Sequence, residues 1–178
     1  MTAVGVLLAA GAGTRFGMPK VLTERGNWLR LAVRALHEGG CDEVLVVLGA
    51  AIVAVPPPAQ AVVAADWAHG LSASLRAGMA AATGSAAGYV VLHTVDTPDI
   101  DPPAVQRVLN AARAADSGIA RARYGTRPGH PVVVARRHWT ELIDAARGDS
   151  GARAFLRARS DVVDVDCDDL ASGIDVDE

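Results

Sequence analysis

The chain has 178 residues, of which 51% are apolar and only 4% aromatic, and its formal net charge is −3. This length fits one domain over residues 1–178 with a core built mainly of Val, Leu, Ile and Ala, and the apolar content excludes a disordered polymer. The slight acidity argues against an extended nucleic-acid surface, so no nucleic-acid partner is expected.

Val4 to Ala9 is a continuous apolar run that stops at Gly11, as a buried strand does. It is too short to cross a bilayer and lacks the basic flank of a signal peptide, so no membrane partner and a cytoplasmic location are expected. Trp28 to His37 carries apolar residues at helical spacing and meets a stop at Gly39-Gly40. Glu43 to Leu48 and Ala61 to Ala64 read as strands, separated by a turn at Pro56-Pro57-Pro58. Ser72 to Ala82 reads as a helix with Leu75 and Met79 on one face, and Tyr89 to Leu92 as a strand ending just before Asp96. Pro102 to Ala115 reads as a helix with Asp101 as its N-cap; Asp99 is read with it as a helix-start residue. Val132 to Val134 is a strand, Arg137 to Ala146 and Ala152 to Ala158 are helical, and Val162 to Asp166 is a last strand. Cys41 and Cys167 have neither zinc nor redox spacing and read as reduced, half-buried thiols.

Alternating strands and helices imply an α/β fold of three layers, a mostly parallel sheet with helices on both faces. Ligands of such sheets lie beyond the carboxyl ends of the strands, which singles out the loops after Ala10 and Leu92 and around Gly70.

The most informative segment is Leu8-Ala9-Ala10-Gly11-Ala12-Gly13-Thr14-Arg15-Phe16-Gly17-Met18-Pro19-Lys20. A strand runs into a glycine-rich loop whose amides can approach a phosphate, and Arg15 and Lys20 can neutralise a polyphosphate. The spacing is not that of a P-loop. The glycines also miss the dinucleotide fingerprint by one residue, and Pro19 interrupts any helix start. Asp96 follows an apolar strand and precedes Thr97-Pro98; an Asp there can cap the turn or the next helix, but its place after a central strand, at the carboxyl-end crevice, favours a metal carboxylate. Gly70 and Ser74 sit where a helix starts. His130 alone reads as structural, Arg127 beside it suits an anionic ligand, and Asp149-Ser150 reads as a helix N-cap. Asp175 lies in the acidic stretch from Asp161 to Glu178 and by itself reads as a solvated charge.

The Leu8–Lys20 segment resembles the signature loop of the small sugar-nucleotidyltransferase-like enzymes, and more narrowly of the molybdenum cofactor cytidylyltransferases and other MobA-like nucleotidyltransferases. Trp67 to Gly78 is similar to that family's second nucleotide loop and helix, and Val95-Asp96-Thr97-Pro98 to its metal-carboxylate turn. Arg127-Pro128-Gly129-His130-Pro131 and Gly148 to Arg153 resemble its acceptor-side loops, and Gly173-Ile174-Asp175 its late metal-binding element. The resemblance implies the nucleotide-diphospho-sugar transferase-like, Rossmann-related fold. It also implies Mg²⁺-dependent transfer of a nucleoside monophosphate from CTP to a phosphate-bearing acceptor such as molybdopterin, with release of pyrophosphate. Lys20, Arg15 and Asp96 become the catalytic candidates. Ala9, Ala10, Gly11, Gly13, Thr14, Gly70 and Ser74 become nucleotide-binding, Arg127 and His130 acceptor-binding, and Asp96 and Asp175 the Mg²⁺ ligands. A client molybdoenzyme is an implied partner. Family members that use GTP tend to carry Gly at the Ala10 position, so Ala10 points to CTP.

Two stretches depart from the family pattern. Arg25-Gly26-Asn27-Trp28-Leu29 replaces a Gly-Lys-Pro-Leu-like stretch, and Asp175-Val176-Asp177-Glu178 replaces Asp-Thr-Pro-Glu. Three alternatives stay open: GTP or another acceptor on the same fold, a flavin- or nicotinamide-dependent oxidoreductase, and a non-catalytic cofactor-binding module. Against the oxidoreductase, Arg30 to Leu36 offers no acid at the ribose-binding distance.

Overall fold

The computed structural model describes residues 1–12 and 27–176. Seven strands form one sheet in the order β3-β2-β1-β4-β6-β5-β7. They are β1 (Ala3–Leu8), β2 (Glu43–Leu48), β3 (Gln60–Val63), β4 (Tyr89–Thr94), β5 (Ile119–Tyr124), β6 (Arg127–Ala135) and β7 (Val163–Asp166). β1, β2, β3 and β4 pair in parallel, as do β5 and β7, whereas β6 runs antiparallel to both of its neighbours.

The alternation along each buried strand divides the core into two layers. Ala3 and Leu7 of β1 face α1 (Trp28–Glu38) and α3 (Pro102–Ala114). Val4, Val6 and Leu8 face α2 (Leu71–Thr83), α4 (Trp139–Ala145) and α5 (Arg153–Arg157). The three-layer α/β architecture is therefore the one the sequence implies. α1 buries Trp28, Leu29, Ala32, Val33, Ala35 and Leu36 on one stripe, and Gly40 then turns the chain at φ +111°.

Several expectations are corrected. β5 was not expected from the sequence; its Ile119-Ala120-Arg121-Ala122-Arg123-Tyr124 alternates as a strand should, but two of its inward residues are Ala, a weak strand former. β6 begins at Arg127 rather than Val132, so Gly129-His130-Pro131 lies inside a strand. The helical stretch from Arg137 is a 3₁₀ turn, Arg136–His138, followed by the short α4. Asp101 stands at the N-cap of α3 in extended conformation, but its side chain makes no capping hydrogen bond. Both cysteines are buried, and burial pushes the Cys41 thiol up to about 12.

α2 lies unusually close to the sheet because residue 78 has no side chain. A β-carbon built on Gly78 would stand 2.5 Å from Val6 Cγ1 and 2.9 Å from Val47 Cγ2. Gly78→Leu should therefore lose stability, by about 1–3 kcal/mol, despite its better helix propensity. Urea unfolding measures this, and an unchanged midpoint would show that α2 can move off the sheet at no cost.

Candidate active site

The carboxyl ends of β1 and β4 lie side by side, with Leu8 paired to Thr94. β1 connects towards β2, while β4 leads away to the other half of the sheet, so a crevice opens between them. A cleft of about 530 Å³ occupies this point, a size suited to a small-molecule ligand. Ala9, Ala10, Gly11 and Ala12 form one wall, Thr94, Val95 and Asp96 another, and Trp67, Gly70 and Ser74 a third. Ala50 N–H donates to the Ala10 carbonyl at 3.0 Å and ties the first wall to the end of β2. Gly49 leaves room for this contact: a β-carbon there would meet Trp67 Cβ at 2.5 Å and Ala10 Cβ at 2.9 Å.

Gly70 precedes α2 at φ +100°, a conformation open to glycine. A β-carbon there would also fall 2.5 Å from Asp149 Oδ1. Asp149 is not a helix N-cap. It lies in a 3₁₀ turn, Gly148–Ser150, while α5 begins later with Ala152 at its N-cap. Its carboxylate instead borders the cleft.

A second cleft, about 270 Å³, adjoins the first and shares Leu8, Leu71 and Asp149 with it. Its floor is aliphatic, with Leu75, Leu92, Val132 and Leu156, and its rim holds Arg121, Arg127 and Arg153 together with His130 and Asp175. Arg121 pairs with Asp164 at 2.5 Å, and Arg127 donates to the Ser172 carbonyl at 3.4 Å. The Arg153 side chain makes no hydrogen bond or ion pair among the described residues. Tyr124 donates to the His130 carbonyl at 2.8 Å, and burial raises its pKa, so the hydroxyl stays protonated.

Asp96 and Asp175 come together through the backbone, because Val176 N–H donates to the Asp96 carbonyl at 2.9 Å. Asp96 borders the first cleft and Asp175 the second. Among the described residues no three His, Cys, Asp or Glu side chains gather into a metal cage. Two carboxylates fit a hard divalent cation that takes its other ligands from water and substrate phosphates.

The sequence-derived candidates thus divide into three groups. Ala9, Ala10, Gly11, Gly70, Ser74 and Asp96 meet in one cleft, and Arg127, His130 and Asp175 in the other. Gly13, Thr14, Arg15 and Lys20 lie outside the described residues. Arg121 and Tyr124 were missed as cleft residues because the strand that carries them was missed; the alternation Arg121-Ala122-Arg123-Tyr124 was the available signal.

The fold, a mostly parallel sheet covered by helices on both faces, is shared with solved nucleotidyltransferase structures, and the chain is an enzyme of the nucleotidyltransferase class. The family model of the MobA-like NTP transferase domain matches residues 5–163, and the chain belongs to that family. Nicotine blue oxidoreductase of Paenarthrobacter nicotinovorans is 39% identical, over 97% of this chain and 91% of its own length. The crystal structure of Rv0371c from Mycobacterium tuberculosis superposes with a TM-score of 0.79 at 27% identity, over 99% of this chain and 93% of that one. The same protein in complex with manganese gives 0.72 at 23% identity, covering 99% and 94%. A nucleotidyl transferase from Methanothermobacter gives 0.76 at 18% identity, covering 99% and 92%.

Under the site, His93 at the end of β4 is fully buried, and among the described residues neither ring nitrogen has a hydrogen-bond partner. Its ring stands edge-on to His130, with centroids 6.4 Å apart. Burial, and then the neighbouring His130, lower its pKa from 6.5 to about 3. Burial lowers that of His130 too, although Asp96 opposes the shift. A base whose pKa falls on folding contributes stability that is complete above its unfolded pKa and is lost as pH falls from there towards the folded value. His93 should thus cost the native chain about 2 kcal/mol between pH 7 and pH 5. Urea unfolding of His93→Leu at the two pH values should show a loss smaller by about that amount. Equal losses in both proteins would remove His93 as the source.

Proposed function

We propose that the chain transfers a nucleoside monophosphate, CMP from CTP, to a phosphate-bearing acceptor and releases pyrophosphate. The observation that carries this reading is a pair of adjoining clefts that share Leu8, Leu71 and Asp149, the larger bordered by Asp96 and suited to a nucleotide, the smaller bordered by Asp175 and rimmed by guanidinium groups. The acceptor is a molybdopterin-type phosphate in this reading, and a client molybdoenzyme then receives the product.

An oxygen of the acceptor phosphate attacks the α-phosphorus of the triphosphate. The new P–O bond forms as the bond to the β-phosphate bridging oxygen breaks, and pyrophosphate leaves with that electron pair. The acceptor is already anionic at neutral pH, so positioning and charge stabilisation carry the catalysis rather than a strong base. Gly11 and Ala12 amides, with Gly13, Thr14, Arg15 and Lys20 of the following loop, hold the phosphates, while Ala9, Ala10, Gly70 and Ser74 border the base and ribose. Asp96 and Asp175 would hold Mg²⁺ or a similar divalent cation, and the ion would supply charge neutralisation at the transferring phosphate. The manganese complex of the Mycobacterium protein is consistent with such an ion. Arg127, with Arg121 and Arg153, meets the acceptor's charge. His130, neutral near pH 7 because burial lowers its pKa, offers a hydrogen bond instead of a charge.

A second reading rests on the relative named as an oxidoreductase. One experiment separates the two. The protein is incubated with Mg²⁺, each of the four nucleoside triphosphates and molybdopterin, and pyrophosphate is measured. In parallel it is incubated with nicotine blue, a flavin and a reduced nicotinamide, and oxidation of the nicotinamide is followed. Pyrophosphate release dependent on CTP and acceptor supports the transferase. Nicotinamide oxidation without pyrophosphate release overturns it.

Asp96→Asn keeps the shape of the side chain but removes its charge. Turnover should fall about a hundredfold or more, with the circular dichroism spectrum unchanged. Near-native turnover at saturating Mg²⁺ would take Asp96 out of the mechanism. Ala10 is buried on the cleft wall, where its methyl group crowds a purine more than a pyrimidine. CTP should therefore be preferred over GTP, and Ala10→Gly should improve GTP relative to CTP by roughly 1–3 kcal/mol in kcat/KM. Competition assays on both proteins measure the ratio, and an identical ratio in both would show that Ala10 does not set the choice.

A further inference from the structure

The carboxylate of Asp99 turns away from the helix it precedes. Its Oδ2 accepts two hydrogen bonds from Ser172, at 2.7 Å from the backbone N–H and 2.6 Å from the hydroxyl. The Ser172 oxygen in turn accepts from Ile174 N–H at 3.3 Å. Between them Gly173, at φ +60°, lies so close to the Tyr124 ring that no β-carbon would fit. At the far end of this strap, Val176 N–H reaches the Asp96 carbonyl.

Asp96 and Asp99 lie in two successive turns after β4 that share Thr97. Thr97 Oγ1 donates to the Thr94 carbonyl at 3.3 Å, Ile100 N–H donates to the Thr97 carbonyl at 3.3 Å, and both Thr97 and Ile100 are buried. The strap from Ser172 to Val176 is therefore pinned at each end to the Asp96–Asp99 segment, with Asp175 between the pins. The hydrogen bonds to a charged acceptor are the stronger kind, so Asp99 is the firmer pin.

Building on the metal reading above, we propose that Asp99 is a positioning residue: by anchoring Ser172 it holds the strap so that Asp175 stands beside Asp96 as the second carboxylate for the divalent cation. Asp99 itself does not touch the ion. Residues that orient a ligand in this way are commonly worth about 10–100-fold in metal affinity.

The test titrates Mn²⁺ alone into the full chain and follows the free ion by electron paramagnetic resonance. Native protein is compared with Asp99→Asn, Asp99→Ala, Asp175→Ala and the double variant Asp99→Ala/Asp175→Ala. Asp99→Ala should weaken Mn²⁺ binding about tenfold or more. Asp99→Asn keeps an acceptor oxygen and should recover most of it. Amide exchange over residues 172–176 should quicken in Asp99→Ala and stay near native in Asp99→Asn. In the double variant, Asp99→Ala should add nothing to the loss from Asp175→Ala, since both act through one carboxylate. Native Mn²⁺ affinity in Asp99→Ala, while Asp175→Ala binds weakly, overturns the positioning role and leaves the metal reading intact. Additive losses overturn it as well. If Asp175→Ala keeps native affinity, the metal role of Asp175 itself falls. Ser172→Ala, which removes the hydroxyl donor and keeps the N–H, gives the same readout with a smaller loss should Asp99→Ala fold poorly.

Discussion

The reversal of direction at β6 decides which residues can meet at the site. In a wholly parallel sheet only carboxyl-terminal strand ends reach the ligand edge. β6 lies antiparallel between β4 and β5, so it brings its amino-terminal residues, Arg127 to His130, to that same edge. Run the other way, its nine residues would carry them roughly 25–30 Å off, to the opposite edge of the sheet. The two clefts owe their adjacency to this. β1 and β4 supply the ends that border the first, while β5 and β6 supply Arg121, Tyr124, Arg127 and His130 to the second.

The acidic stretch gains a purpose from the same arrangement. Asp164 and Asp166 sit opposite Arg121 and Arg123 across the parallel β5–β7 pair, with ion pairs at 2.5 and 2.8 Å. Asp169 meets Arg107 of α3 through two hydrogen bonds at 2.6 and 2.9 Å. All of these groups are at least partly exposed, and pairs of this kind contribute only about 0.2–1 kcal/mol each. Their effect lies in register: a one-residue slip would set Val163 or Val165 opposite the guanidinium groups. A fixed β7 determines where the chain leaves the sheet, and so where the strap from Ser172 to Val176 crosses the turn after β4.

Much of this was legible in the sequence. The buried strands β1, β2 and β4 and the helices α1 and α2 carry strong apolar patterns, and their expected bounds differ from the observed ones by a residue or two. The glycine-rich loop after β1 and Asp96 after β4 directed attention to the edge where the two clefts open, because carboxyl-end loops of α/β sheets face ligands. What stayed hidden was set by long-range partners. β5 alternates weakly and becomes a strand through its neighbours β6 and β7. Asp99, Asp101 and Asp149 each precede or follow a helix, where an Asp by default caps the end. Yet Asp99 finds Ser172 and Asp149 faces Gly70. Local sequence cannot distinguish a cap from a tether when the tether's other end lies dozens of residues away.

The physical contrast between the clefts also explains how one family can include relatives with different names. The described walls of the first cleft consist largely of backbone and small residues: Ala9, Ala10, Gly11, Ala12, Ala68 and Gly70. Such walls recognise a ligand by shape and by amide donors, and they change little when side chains are exchanged. The second cleft is lined by large side chains, with Leu75, Leu92 and Leu156 below and Arg121, Arg127 and Arg153 above. A change of one of these residues alters charge or volume directly. A shared fold therefore constrains the backbone-walled cleft more than the one lined by long side chains. An aliphatic floor beneath guanidinium groups suits a ligand with an apolar body and anionic substituents. Arg121, Arg127 and Arg153 stand there beside the carboxylates of Asp149 and Asp175, so this cleft sets charges of both signs around an apolar floor.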